Sequence, residues 1–274
     1  MSVLLGAQCL AHAAHAPAQP QQAPAHVPSR VMSLSLCTDA LVLDLLPPSR
    51  IVSVTYLARQ SADPTLAAKA ARVRLNYGEA DEVMAAAPDL VLAGTYSTPG
   101  ARAVLRKLAV PMLVVPPATS FAQIRRQVRH VARVLGVAPR GEALIAHMDT
   151  TLAALARTRP RPPIRVAGWN GDGFVPGQDS LFNTVLRAAG AVNIAAPPGP
   201  RPGNFSLEQV LLAHPQVLVY GSGLAAAALS TEAAHHPLLE RLYPGRAITF
   251  PLLYAECGLP ESADAVARVR RELL

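Results

Sequence analysis

Residues 81–94, DEVMAAAPDLVLAG, and residues 208–221, EQVLLAHPQVLVYG, are two copies of one sequence pattern. Each copy begins with an acidic residue, continues with helix-forming residues to a proline seven positions later, and ends in an apolar strand closed by glycine. A helix, a proline and a strand in this order are common in α/β proteins. The acidic residue at the same offset and the closing glycine in both copies indicate two duplicated lobes.

The chain around the first copy alternates strands with helices. Strands are predicted over residues 30–36, 50–54, 90–93 and 110–115, and helices over residues 40–46, 81–87 and 101–108. The rhythm then changes, because residues 121–158 read as helix punctuated by Gly136 and Pro139, and alternation resumes only at residues 164–169. We therefore predict an α/β fold: two lobes with mostly parallel sheets, joined by a long helical connector, with the ligand cleft between the lobes.

The N-terminal segment differs from the rest of the chain. Residues 1–10 are short and apolar, residues 14–16 fit a small-x-small cleavage pattern, and a Pro/Ala/Gln segment follows. The basic residue usual at the start of a signal peptide is missing, so either the start is misassigned or this segment is not a signal. Gln8 stands where a small residue is required, which argues against lipid attachment at Cys9. We expect a signal remnant and disordered tether over 1–26, and export to the periplasm.

The remaining boundaries follow from the same reading: an N-terminal lobe over 27–138, a connector helix over 139–160 and a C-terminal lobe over 161–274. No apolar stretch in this body approaches the roughly 18 residues of a membrane-spanning helix. The formal net charge of +7 has two explanations, an anionic small ligand or a general preference for arginine in the source proteome. The basic residues are scattered and not interleaved with aromatic residues, so we expect no nucleic-acid partner.

Cys37 and Cys257 are the two cysteines left if cleavage follows Ala16. Two cysteines so far apart are not a disulfide framework, and two buried free thiols are the favoured interpretation. A bridge is the alternative in an oxidising compartment, and it would hold the two halves together.

With these segments, the chain from about Val27 resembles the ABC-importer binding proteins for vitamin B12, haem and ferric siderophores. The segments that carry the resemblance are residues 30–34, 88–91, 135–137, 170–177, 206–210 and 257–268. The resemblance implies that a rigid helix joins the lobes and that a metal chelate is captured and passed to a permease in the inner membrane. It implies a monomer with no cofactor besides the ligand itself.

The resemblance also implies a role for Asp81 and Glu208. In this family one acidic residue at the tip of each lobe pairs with arginines of the permease. The first is usually a glutamate, so Asp81 shortens the reach by one methylene, and Glu79 or Glu82 is an alternative. The competing interpretation is that both acids only stabilise the first turn of a helix.

Ligand contacts are expected beyond the carboxyl ends of the strands, as in other open α/β sheets. Four of the six tyrosines and the only tryptophan fall at predicted strand ends, which favours a flat, π-rich ligand such as a corrinoid, haem or aromatic chelate. The predicted ligand-binding residues are Cys37, Thr38, Tyr56, Leu57, Thr95, Tyr96, Trp169, Asn170, Tyr220 and Tyr254. An axial ligand to a bound metal, from Cys37, Cys257 or a tyrosine, is left open.

Other function classes have less support. The sequence contains neither a Gly-x-Ser-x-Gly elbow nor a His-Glu-x-x-His motif, so we expect no enzyme, with a hydrolase as the remote alternative. A ligand sensor on the same scaffold is the second alternative. No histidine occupies a predicted strand end, so we expect no site for a bare metal ion.

Overall fold

The computed structural model describes residues 26–168, 173–222, 236–251 and 253–274. The N-terminal lobe is built on a five-stranded parallel sheet of order β3-β2-β1-β4-β5. Its strands are β1 (Val31–Ser33), β2 (Ile51–Thr55), β3 (Leu75–Asn76), β4 (Leu90–Gly94) and β5 (Met112–Val115). Its helices are α1 (Leu36–Leu45), α2 (Tyr56–Arg59), α3 (Pro64–Ala70), α4 (Ala80–Ala86) and α5 (Pro99–Lys107), with a 3-10 turn at Pro48–Arg50.

The C-terminal lobe carries a four-stranded parallel sheet of order β11-β10-β6-β8 and a small antiparallel pair, β7-β9. The strands are β6 (Ile164–Gly168), β7 (Phe174–Val175), β8 (Ala191–Asn193), β9 (Gly203–Asn204), β10 (Val217–Ser222) and β11 (Ala247–Pro251). The helices are α8 (Leu181–Ala189), α9 (Leu207–Ala213), α10 (Pro237–Leu242), α11 (Leu253–Glu256) and α12 (Ser262–Leu273).

Helices α6 (Phe121–Val134) and α7 (Ala138–Arg157) connect the two sheets. Gly136, at φ +69°, makes the turn between them. Ion pairs between Arg125 and Asp149 and between Arg129 and Glu142 join the two helices along their length. The C-terminal end of α7 is held by Arg270 of α12, which donates to the carbonyl oxygens of Thr158 (2.7 Å) and Ala188 (3.1 Å).

The sequence repeat is also a structural repeat. Helix α4 and helix α9 each begin with a capping box and each end at a residue in the left-handed region, Ala87 at φ +46° and His214 at φ +47°. Both end residues precede a proline, which cannot continue the helix. The repeat extends further than the sequence pattern, because α4-β4-α5-β5 and α9-β10-α10-β11 follow the same order with parallel strands.

The predicted α/β fold with two lobes is therefore confirmed, and several element bounds are corrected. Helix α1 begins at Leu36 rather than Ala40, because the Ser35 hydroxyl caps it by accepting from the Thr38 N–H. The short strands β3, β7 and β9 were not predicted, since two residues carry no periodic pattern. Within the described residues, no helix combines the length and apolar character needed to cross a bilayer.

Candidate ligand-binding site

The carboxyl edge of the N-terminal sheet carries a row of tyrosines. Strands β2 and β3 pair in parallel with Thr55 opposite Asn76, so the next residues, Tyr56 and Tyr77, emerge side by side. Their ring centroids are 5.2 Å apart at a tilt of 31°. Tyr96, which follows β4 on the other side of β1, is 83% exposed. The edge thus presents aromatic faces after three of its five strands.

Tyr77 is a candidate site residue that the sequence pattern did not reveal. The sequence gives little indication that Tyr77 follows a strand, because β3 is only two residues long and contains one buried side chain. The neighbouring Gly78 adopts φ +82°, and a Cβ there would lie 2.8 Å from the Thr98 methyl group. This close approach packs the segment after β3 against the segment after β4.

A buried hydrogen-bond network supports the tyrosine row from beneath. The Asn76 amide donates to the Ser33 carbonyl oxygen (3.0 Å) and to the Ser53 hydroxyl (2.8 Å), and the Ser33 and Thr38 hydroxyls are 2.7 Å apart. The network links the ends of β1, β2 and β3. Because each polar group has a partner, the strand ends are fixed without ligand.

Asp39 is the ionisable member of this buried layer. Its carboxylate accepts hydrogen bonds from the Thr55 N–H (3.1 Å) and the Thr55 hydroxyl. Burial raises the pKa of Asp39 to about 7, against the opposing effect of its hydrogen bonds with Ser33 and Thr55. Asp39 therefore positions the β2 end rather than presenting a charge to a ligand.

For three of the predicted ligand-contact residues, the structure differs from what the sequence led us to expect. Thr38 is fully buried, with its hydroxyl bonded to Ser33 and Ser35, so it cannot touch a ligand directly. Cys37 is bonded to Cys257, which overturns the favoured interpretation of two free thiols and leaves neither sulfur available to a metal. Tyr220 does not lie at a strand end, because β10 continues to Ser222 and the Tyr220 ring packs beside α10.

The remaining predicted contacts keep their places after the strands. Tyr56 and Leu57 begin α2 directly after β2, both half-buried, and Thr95 follows β4 with its carbonyl oxygen accepting 2.5 Å from Arg102. Tyr254 follows β11 on α11. Trp169 and Asn170, expected after β6, lie outside the described residues. The assignment of these residues to ligand contact stays a prediction.

The carboxyl sides of the two sheets meet at a lobe junction formed by Cys37, Asp63, Cys257 and Tyr254. The disulfide joins residues 220 positions apart, with Cα atoms 4.8 Å from each other. Beside it the Tyr254 hydroxyl donates to the Asp63 carboxylate, which raises the pKa of Tyr254 together with burial, the larger cause. Because Cys37 follows β1 and Tyr254 follows β11, the strand ends of both lobes face a common space.

A second group of charged residues lies next to the lobe junction. Lys69 pairs with Asp44, and Glu261 of the C-terminal lobe lines the same small cavity. Burial first, and the charge of Asp44 second, raise the pKa of Glu261. The raised pKa means that Glu261 is less readily ionised beside Asp44 than an isolated carboxyl group would be.

Across the described ranges, no group of three or more His, Cys, Asp or Glu side chains is placed to hold a metal ion. His130 and His147 are on the connector helices, and His147 lies 3.5 Å from Asp264.

The two acids that are predicted to dock on a permease occupy the same position in equivalent helices. Asp81 and Glu208 are both the second residue of their helix, and both are exposed. Glu208 accepts from the Ser206 hydroxyl at 2.6 Å, which lowers the pKa of Glu208. Glu82, the alternative to Asp81, is engaged by the N–H groups of Tyr77 (2.8 Å) and Glu79 (3.1 Å).

Two α/β lobes with facing strand ends and a helical connector define the class of two-lobe ligand-binding proteins. The chain belongs to the periplasmic binding protein family, because the family model described as "Periplasmic binding protein" matches residues 31–232. No curated protein sequence matches the chain.

Solved structures of this class are similar to the chain over nearly its whole length. The periplasmic haem-binding protein RhuT from Roseiflexus sp. RS-1 has a TM-score of 0.69 and 22% identity, covering 89% of this chain and 97% of that chain. The vitamin B12-binding protein BtuF of Vibrio cholerae has a TM-score of 0.67 and 17% identity, and the match covers 90% of this chain and 97% of that chain. MolA of Haemophilus influenzae, bound to molybdate, has a TM-score of 0.72 and 16% identity, and the match covers 92% of this chain and 87% of that chain. At these identities the likeness shows the fold alone.

Proposed function

We propose that this protein is the periplasmic substrate-binding protein of an ABC importer, a monomer that captures a metal chelate and delivers it to a membrane permease. The chelate classes are ferric siderophores, corrinoids such as vitamin B12, and haem. The observation that carries the ligand class is the row formed by Tyr56, Tyr77 and Tyr96 at the carboxyl edge of the N-terminal sheet.

A flat ligand is favoured because this edge of the N-terminal sheet offers aromatic surface. Aromatic residues make up only 4% of the chain, yet three tyrosines follow strands of one sheet. Tyrosine offers a ring face to a π-rich ligand and a hydroxyl to its polar rim, so this edge suits an amphipathic chelate better than a small hydrated ion. The fold that this chain shares with structures described as haem-binding and vitamin B12-binding is compatible with such a ligand.

The arrangement of the lobes suggests how a ligand is held. The disulfide and the Tyr254–Asp63 contact join the lobes at one side of the space between the strand ends. Capture would therefore proceed with limited closure, since the lobes cannot separate at that side and the connector helices resist wide hinge motion.

Docking on the permease would use Asp81 and Glu208. Both are exposed carboxylates at the same helical position, and the lowered pKa of Glu208 keeps it ionised. Two such charges far apart set the orientation of a complex and its association rate with cationic sockets on a partner.

A titration with a ligand panel tests the proposed function. Purified protein is titrated with haemin, cyanocobalamin and several ferric siderophores, and the fluorescence of Trp169 is followed with correction for absorption by the ligand. Saturable quenching by one class at micromolar or tighter affinity is expected. No response to any member, with an unchanged melting temperature, would contradict the chelate assignment and favour a different ligand or a sensor role.

A further inference from the structure

A groove of about 420 Å³ lies beside β5, the edge strand of the N-terminal sheet. Its walls are β5, the segment 116–118 that follows this strand, and helix α6. All the described residues that line it fall within 114–131, so it is separate from the tyrosine row and belongs to one lobe. A cavity of this size is in the range that small organic ligands occupy. We call it the α6 groove.

One wall of the α6 groove is polar and comes from successive turns of one helix. Gln123, Arg126, Gln127 and His130 line it, and their spacing of three and four residues places them along one side of α6. The Gln123 amide oxygen accepts from the Thr119 N–H at 2.6 Å, so the group that it can offer a ligand is its amide nitrogen, a donor. This wall therefore presents mainly hydrogen-bond donors.

The charge of the groove is positive and uncompensated. On the same helix, Arg125 pairs with Asp149 and Arg129 pairs with Glu142. Among the described residues, Arg126 takes part in no ion pair, and no aspartate or glutamate lines the groove. A guanidinium group in such a setting favours an anion, and it matches a carboxylate best because two parallel hydrogen bonds can form.

Gln127 contributes a donor whose hydrogen bond is missing. Its amide nitrogen is shielded from solvent, and no group in the described part of the chain accepts a hydrogen bond from it. A buried donor without a partner costs free energy. A ligand oxygen that supplies the missing partner is therefore favoured, because the protein has already lost the hydration of this group.

The other wall is apolar and is fixed before any ligand binds. It consists of Val114 and residues 116–117, a proline pair, while Val131 of α6 is fully buried at the base of the groove. The next residue, Ala118, is buried against the C-terminal lobe, where a Cβ on Gly258 would lie only 2.5 Å from the Ala118 Cβ. A preformed wall lowers the cost of ordering the protein when it binds a ligand.

We propose that the α6 groove is a second ligand site and that it takes a small amphipathic monocarboxylate. Arg126 binds the carboxylate, with Gln127 and His130 as further donors, and the apolar body of the ligand lies along Val114 and the proline pair. The site is independent of the proposed function, because it shares no residue with the tyrosine row or with the lobe junction.

Octanoate is the probe that tests this site. Acetate is the comparison that keeps the charge without the apolar body, and 1-octanol is the comparison that keeps the body without the charge. Each is titrated into the ¹⁵N-labelled full chain, and the backbone amide shifts are followed. We expect saturable shifts that are largest within residues 114–131, and at least fivefold tighter binding of octanoate than of either comparison. Equal binding of acetate or of 1-octanol, or shifts centred on the tyrosine row, would overturn the proposal.

Variants of α6 separate the site from a general effect of charge. Arg126→Ala and Gln127→Leu should each weaken octanoate binding at least fivefold. Arg133→Ala is the matched control, since it removes the same charge from an exposed position of the same helix outside the groove, and its dissociation constant should equal that of the wild type. Melting temperatures verify that each variant is folded. Equal affinity in wild type and Arg126→Ala, or an equal loss in Arg126→Ala and Arg133→Ala, would refute the site.

Discussion

Asp39 is a buried residue whose ionisation makes the stability of the fold depend on pH. Its carboxyl group fixes the end of β2 through Thr55, and burial raises its pKa from 3.8 to about 7. Between pH 3.8 and about 7, the folded protein therefore keeps a proton on Asp39 that the unfolded chain has released. Stability from this group is fully present below pH 4 and is lost as the pH rises through about 7.

Asp39→Asn should flatten this decline. Each pKa unit corresponds to about 1.4 kcal/mol, so the wild-type protein should lose on the order of 2–4 kcal/mol of unfolding free energy between pH 4 and pH 8. The asparagine can still accept the Thr55 N–H. Urea unfolding at several pH values measures how steeply the unfolding free energy falls with pH. The same measurement on Glu261→Gln is the comparison, because the pKa of Glu261 is raised as well. Equal slopes in wild type and Asp39→Asn would refute the assignment.

Arg270 is the residue that ties the connector to the C-terminal lobe. Its guanidinium is buried and donates to backbone carbonyl oxygens at the ends of α7 and α8. Burial lowers the pKa of Arg270, because the charged guanidinium loses hydration inside the protein. The hydrogen bonds to the carbonyl oxygens offset this loss of hydration.

Arg270→Met should lower the unfolding free energy by about 2–4 kcal/mol, since the carbonyl oxygens lose a charged donor. Urea unfolding measures the change. Arg268→Met, which removes an exposed i,i+4 ion pair with Glu272, is the control and should cost less than about 1 kcal/mol. A cost for Arg270→Met as small as that of the control would contradict this role.

At the scale of elements, the repeated helix ends explain why the duplication was visible in the sequence. Ala87 and His214 adopt left-handed backbone angles before proline, and the capping boxes start both helices. A left-handed conformation costs a residue with a Cβ about 1–2 kcal/mol, so both positions carry local strain.

Ala87→Gly should relieve that strain and raise the unfolding free energy by about 0.5–1 kcal/mol. Ala85→Gly, in the exposed interior of the same helix, is the matched control and should lower it by about 1 kcal/mol. Chemical denaturation of the two variants gives the comparison. Destabilisation by both glycines would show that the helix end is not strained.

The same elements show what the sequence could and could not predict. The long strands, the connector and the helix–proline–strand repeat carry periodic patterns, so they were predicted within a few residues. Strand β3 has only two residues, which concealed Tyr77. The position of Tyr220 was misjudged because β10 continues beyond the apolar run, through Gly221 and Ser222. The prediction of two free thiols was wrong, since no local pattern pairs residues 220 positions apart.

At the scale of the whole molecule, the disulfide joins two lobes whose other covalent link is the connector. Without it the unfolded chain gains the freedom of a loop of more than two hundred residues. Cys37→Ser with Cys257→Ser should therefore lower the unfolding free energy by about 2–5 kcal/mol. The variant should also release ligand faster, because the lobes can separate on the bridged side.

Urea unfolding and stopped-flow dissociation measure the two effects of removing the disulfide. The control is the wild-type protein treated with reductant, which should match the serine variant in both. A variant as stable as the oxidised wild type would contradict a stabilising inter-lobe bridge.

We propose that a chelate binds against the tyrosine row between the lobes. The most direct test is the dissociation constant of the ligand identified in the panel, measured for wild type and for Tyr56→Ala with Tyr96→Ala. Tyr243→Ala, at the end of α10 and outside the tyrosine row, is the control. Stacking of a flat ring on an aromatic side chain contributes about 1–3 kcal/mol to the binding free energy. The double variant should therefore bind at least tenfold more weakly, and the affinity of the control should be unchanged. Equal affinity in wild type and the double variant would place the ligand elsewhere and contradict the account.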